Sequence, residues 1–261
     1  MKNFLENFNN INWFFWFYRG TGLALLIHGI AWLPTRSFWL GQQGFHPSAS
    51  AWSAATGASL LSPLPPVLID FTYALFLVGC LNLVHGRYFK RITAMVLALG
   101  LTLATLTSPS AFGGVNGIFV FSLLVVATTS DNRTRLQISR YAVIATLIAI
   151  YTLSGWRKAV WGTWLTDPNT LYAVTNGLFR TGLAAWSLQT LPAFVWTALQ
   201  YAVLTFQLAS PLLFGFQQTR ILAIGLGLGF HLSIALYFEG LWLFNLGFLS
   251  LYFAFLEPKS R

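Results

Sequence analysis

Charge is what this sequence has least of. Only 8% of its 261 residues are Asp, Glu, Lys or Arg, against about 25% in an ordinary soluble domain, too few to build a water-facing surface. Cysteine is nearly absent. The single Cys80 excludes an intrachain disulfide and leaves no cysteine-based zinc or iron–sulfur site. The four histidines lie in different segments, with no His-x-x-x-His spacing and no carboxylate cluster, so no metal site is expected. A P-loop, a dinucleotide fingerprint and a nucleophile elbow are also missing.

What remains is apolar. Hydrophobic residues make up 56% of the chain, and they gather into runs approaching the length of about 20 residues that crosses a hydrocarbon core of roughly 30 Å as a helix. Lipid offers backbone N–H and C=O groups no partners, so helices are the economical solution. The runs are too long and too evenly apolar for barrel strands. They span Trp13 to Leu33, Pro66 to Val84, Ile92 to Leu106, Gly114 to Thr128, Tyr141 to Trp156, Leu191 to Phe214, Ile221 to Phe238 and Leu241 to Leu256. The expected fold is therefore an all-α polytopic membrane bundle of about eight transmembrane helices, a single domain over 1–261. The first run is longer than a signal-peptide core and lacks a small-residue cleavage pattern, so it is expected to remain in the mature protein.

The connections sort by charge. Arg87, Lys90 and Arg91 follow the second run, Arg133, Arg135 and Arg140 the fourth, Arg220 the sixth, and Lys259 and Arg261 the last, with Lys2 near the start. The alternate connections hold only Arg36, Arg157, Lys158 and Arg180. The positive-inside rule then places both termini in the cytoplasm, of a bacterial inner membrane by expectation. The same rule accounts for the net charge of +9, and nucleic acid is not an expected partner; membrane lipids are. Two outer segments, Pro34 to Pro65 and Trp161 to Thr190, are too long for turns and read as interfacial or re-entrant caps.

Ionisable and amide groups inside spans are costly, on the order of 3 kcal/mol for a charge, and each is a functional candidate. His231 falls near the middle of the seventh run, on one face with Ala223 and Gly227. It reads either as a neutral histidine bonding across a helix pair or as a ligand-facing group. Gly225 and Gly229 form a small-residue pair that reads as packing. Lys158, at the outer end of the fifth run beside Gly155, Trp156 and Trp161, is the sharpest feature. A lysine with little water around it can act as a base; the alternative is an interfacial lysine reaching for headgroups. Asp70, Asn116, Gln200, Glu239 and His28 fall in outer halves and could line one cavity, with Gln207 on the same face as Gln200 but deeper. His85 and His46 read as surface residues, and Arg19 as the inner end of the first helix.

From the fifth run onward two stretches carry a resemblance. They are Tyr151-Thr-Leu-Ser-Gly-Trp-Arg-Lys158 with Trp164, and Gly229-Phe-His-Leu-Ser-Ile-Ala235 followed by Leu243-Phe244. They resemble the membrane domain of vitamin K-dependent gamma-carboxylases and their bacterial relatives, the horizontally transferred transmembrane family. The resemblance covers roughly the last 120 residues and weakens before them to Arg19-Gly-Thr-Gly22 and the basic turn after the second run. It implies that Lys158 is a catalytic base acting on a reduced quinone, with His231, and that Tyr151, Trp164, Asn116, Gln200 and Gln207 form the pocket. The chain departs from the family in three ways. Gln207 is neutral where relatives often carry an acid, the family's Asn-His stands here as Asn116-Gly117, and no lumenal domain is expected after the last run.

The residues leave three functions open. The first is a quinone- or lysine-base-dependent enzyme that modifies a peptide or lipid-soluble substrate at the outer face. The second is a non-catalytic factor for maturation of, export of or immunity to a secreted peptide. The third is an accessory subunit of a membrane complex. The charge pattern makes its own prediction. In a Cys80→Ala background, an impermeant thiol reagent applied from outside is expected to label Trp161→Cys and to spare Arg133→Cys; the opposite labelling would overturn the layout.

Overall fold

In the computed structural model, residues 13–35, 65–86, 89–107, 109–130 and 132–255 are described. Arg36, His46, most of the Pro34 to Pro65 segment, Arg87, Lys2, Lys259 and Arg261 lie outside them. The described residues form ten α-helices: α1 (Trp13–Trp32), α2 (Pro66–His85), α3 (Lys90–Thr107), α4 (Pro109–Thr128), α5 (Arg133–Val160), α6 (Thr170–Thr175), α7 (Gly182–Thr190), α8 (Ala193–Gly215), α9 (Gln217–Tyr237) and α10 (Leu241–Leu251). Short 3-10 turns follow α1 (Leu33–Thr35) and α10 (Tyr252–Phe255). Each of the eight apolar runs is helical over most of its length. Four helices, α2, α5, α8 and α9, are long and apolar enough to cross a membrane, and the chain is a multi-pass helical protein on that ground.

Local chemistry sets the boundaries. Pro66 opens α2 at the first helical position, where its missing N–H costs nothing. Gly86 closes the same helix in the left-handed region (φ 66°), its N–H returning to the Asn82 carbonyl at 2.8 Å. Asn132 starts α5 by accepting the Thr134 N–H at 2.9 Å, and the Thr181 hydroxyl caps α7 through the Ala184 N–H. Gly240 (φ 78°) turns the chain between α9 and α10.

The chain packs as two compact units, Met1–Arg140 with Phe253–Arg261, and Tyr141–Tyr252. In the first, α1 lies against α2 across two glycines. A Cβ on Gly22 would stand 2.7 Å from Leu83 Cβ and 3.0 Å from the Val84 nitrogen, and one on Gly29 would strike Phe76 and Leu77. Tyr73 donates to the Gly29 carbonyl at 2.7 Å in the same seam. Arg19 sits in the second turn of α1, so the helix extends inward of the end expected from its charge. Its Nη2 donates to the last carbonyl of α2, that of His85, at 2.9 Å. Arg140 treats Ala254 the same way at 2.6 Å.

In the second unit, the Trp161 to Thr190 segment folds as turns plus α6 and α7. Thr181 N–H to Tyr237 carbonyl (3.1 Å) and Glu239 N–H to Phe179 carbonyl (2.7 Å) fasten it to the end of α9. Ala223, Gly227 and His231 form the buried stripe of α9. Gly225 and Gly229 do not pack as expected: among the described residues, nothing lies within 4 Å of a Cβ on either. They lie on the opposite side of the helix from the buried stripe, since each is two residues, about 200° of helix turn, from its members.

These glycines make a paired prediction. Gly22→Val is expected to destabilise the protein by about 1–3 kcal/mol, the usual range for overpacking. Gly225→Ala is expected to be neutral or stabilising by up to about 1 kcal/mol through helix propensity. Thermal unfolding in detergent measures both, and equal effects would disprove the difference in packing.

Candidate functional site

The second unit gathers most of the polar residues singled out above. Tyr151, Ser154, Gly155 and Lys158 recur at three- and four-residue spacing, so they share one face of α5. That face meets α8 at Gly155, where a Cβ would come within 2.9 Å of Gln207 Cβ and 3.1 Å of the Leu208 nitrogen. The approach brings the Gln207 carboxamide to Lys158, whose Nζ donates to Gln207 Oε1 at 2.9 Å and to Ser154 Oγ at 2.8 Å. The Trp164 ring lies across the ammonium, its centroid 5.3 Å away, within the range of a cation–π contact. Lys158 is half-buried and sits in the last turn of α5, where the peptide dipoles favour a cation. Arg157 beside it is exposed.

Two turns back along α5, about 10 Å by helix rise, a second cluster is buried. The Tyr151 hydroxyl lies 2.7 Å from His231 Nε2 and 2.5 Å from the Tyr252 hydroxyl. His231 Nδ1 lies 2.6 Å from Asn245 Oδ1, and Asn245 Nδ2 donates to the Leu241 carbonyl at 2.7 Å. This last bond makes Oδ1 the acceptor, which puts the proton of a neutral His231 on Nδ1. Nε2 then accepts from Tyr151, which in turn accepts from Tyr252. The order runs one way, and each bond fixes the next. Gly227 leaves the room for it, since a Cβ there would collide with the Tyr252 hydroxyl. Phe248 stacks on His231 at 4.3 Å between ring centroids, and Phe214 stacks on Tyr151 at 5.9 Å.

The outer-half residues that were expected to line one cavity divide between the two units. His28, Asp70 and Asn116 belong to the first unit; His28 is buried on α1 against Trp32, Asn116 is buried on α4, and Asp70 is exposed. Glu239 is exposed in the second unit, while Gln200 is fully buried there and bonds only backbone groups. Lys158, Gln207 and Trp164 meet, as do Tyr151 and His231. Three participants were not singled out from the sequence: Ser154, Asn245 and Tyr252. Ser154 had a signal, lying one turn before Lys158 on its face, and Asn245 had another as a side-chain amide within the last apolar run. Tyr252 had none, because a tyrosine near a helix end is ordinary. Comparison of the chain with protein-family models, with curated proteins and with solved structures finds no match.

The histidine cluster is testable apart from any activity. Asn245→Leu leaves the His231 N–H without its acceptor, and His231→Leu does the reverse to Asn245. A double-mutant cycle on thermal stability in nanodiscs is expected to give a coupling of about 1 kcal/mol, the scale of hydrogen bonds between membrane helices. Strict additivity would show that the two side chains do not act on each other.

Proposed function

We propose that this is a membrane enzyme crossing the bilayer eight times with both termini in the cytoplasm. In this reading Lys158 is the base that removes a proton from a weakly acidic O–H of a lipid-soluble substrate near the outer face. One observation carries it: the Lys158 amine is turned onto α8 and held by two neutral acceptors under an aromatic ring. No carboxylate pairs with it among the described residues. An anchoring lysine would extend its head toward headgroups and water. A neutral amine has two N–H donors and one lone pair, as chemistry requires of a base. Ser154 and Gln207 accept the two donors, and the lone pair takes the remaining position.

A reduced quinone is the substrate class the family resemblance implies, and it supplies a flat ring with acidic O–H groups. The side chains present fit such a molecule: Trp164 offers an aromatic face, Lys158 an amine and Gln207 a carboxamide. In the proposed step Lys158 takes up one proton at Nζ. Ser154 and Gln207 then hold the ammonium, and the carbonyl end of α5 stabilises it. The His231 cluster contributes by fixing Tyr151, and through it the face of α5 that carries Lys158. Neutral Gln207, in place of an acid, leaves the amine without a permanent counter-charge.

A reduced naphthoquinone is the probe for a first test. It is expected to raise the unfolding temperature of the wild type and to be oxidised under air, with oxygen consumed. Lys158→Ala should insert and fold normally, lose the thermal shift and turn over at least about 10²-fold more slowly, as expected for loss of a general base. If Lys158→Ala handles the probe like the wild type, the enzyme reading falls and a non-catalytic role takes its place.

A further inference from the structure

Both amide N–H donors of Gln200, and its oxygen, are committed to backbone groups. Its side chain is completely buried, its Oε1 accepts the Leu171 N–H at 2.9 Å, and its Nε2 donates to the carbonyls of Trp164 and Asp167, both at 2.8 Å. All three partners are main-chain groups of residues 164–171, the strap that leaves α5 and crosses to α8. Three residues earlier on α8, the Thr197 hydroxyl donates to the Pro168 carbonyl at 3.2 Å. The strap is also tied to itself by the Thr163 and Thr170 hydroxyls, 2.8 Å apart. At its beginning, the Trp161 and Gly162 N–H groups both return to the Arg157 carbonyl. A side chain on Gly162 would press into the Lys158 carbonyl at 2.9 Å and the Trp164 ring at 3.1 Å. The strap is thus held at both ends, and Trp164 lies between the two fastenings.

We infer that Gln200 is a positioning residue that clamps this strap so that the Trp164 ring closes over the Lys158 amine, and that the strap must lift for a ligand to reach Nζ. The inference deepens the reading of Lys158 as the working group and rests on it for its significance, but the clamp itself can be measured without turnover. The carboxamide is suited to the task because it satisfies one N–H and two carbonyls at once, whereas water in their place would open a polar path beside the amine. Removing the clamp leaves three main-chain groups to find new partners. The strap then exchanges between closed and lifted arrangements, and Lys158 becomes reachable.

The test is acetylation of surface amines on the intact protein in detergent, followed by mass spectrometry. Lys90, in the first unit and held over Phe14 and Tyr18, serves as the internal standard. Gln200→Leu is expected to raise the labelling rate of Lys158 relative to Lys90 by about tenfold, the effect of losing hydrogen bonds worth about 1.4 kcal/mol together. Trp164→Ala should match it. Gln200→Glu keeps the size of the side chain but removes both N–H donors, leaving at most one O–H for two carbonyls, so it should also raise the rate. An unchanged Lys158 rate in the Gln200 variants, with a raised rate in Trp164→Ala, would overturn the clamp. Should the Gln200 variants fail to fold, hydrogen exchange of the wild type decides: the Leu171 amide must exchange far more slowly than an open loop, and rapid exchange overturns the proposal. If labelling responds as expected while Lys158→Ala keeps full activity, the clamp stands and the base does not.

Discussion

Two helices can approach to backbone contact only where one of them has no side chain in the way. Gly155 supplies that point on α5, and the Gln207–Leu208 stretch of α8 fills it. The polar contacts between α5 and α8 take their places from this approach. One side of it sets Gln207 against Lys158, and the other sets Ser210 beside Thr152 at 3.0 Å. Pro211 lies four residues after Gln207 in the same helix and has no N–H to give. The α-helical bond to the Gln207 carbonyl therefore cannot form, and the backbone of α8 is loosened where its side chain meets the amine.

Arginines perform a related service at the helix ends. Within the first unit Arg19 reaches the final carbonyl of α2 and Arg140 the carbonyl of Ala254. Within the second, Arg220 reaches Phe214 in the last turn of α8. A helix ending in an apolar surrounding has carbonyls with no intrahelical donor, and a guanidinium supplies both the hydrogen bond and the charge the dipole favours. Guanidinium groups thus take up main-chain carbonyls in both units.

How much of this could be read from the sequence depends on the kind of interaction. The helical segments were legible because apolar length alone demands them, and the stripe of Ala223, Gly227 and His231 was legible because four-residue spacing defines a face. The meeting of Lys158 with Gln207 was not, since nothing in two runs fifty residues apart says which turn faces which. Gln200, expected among the pocket groups, bonds the backbone of residues 164–171, and the reason this was not legible is instructive. A buried amide serves a ligand or the backbone equally well, and only the course of residues 164–171 decides between them. The pair Gly225 and Gly229 failed because small residues permit contact without compelling it. Arg19 misled because a charge marks a helix end only when no backbone carbonyl lies near to receive it, and that of His85 does.

The fastening of the strap has a further consequence. Gln200 and Thr197 recognise amide groups that every residue but proline presents in full, so they grip the path of the chain and are blind to its letters. Leu165 and Thr166 point away from these fastenings and are exposed, which leaves the outward surface of the strap open to change while the ring beneath it stays where it is. A lineage could redesign what this protein shows to its surroundings and keep its inner chemistry untouched.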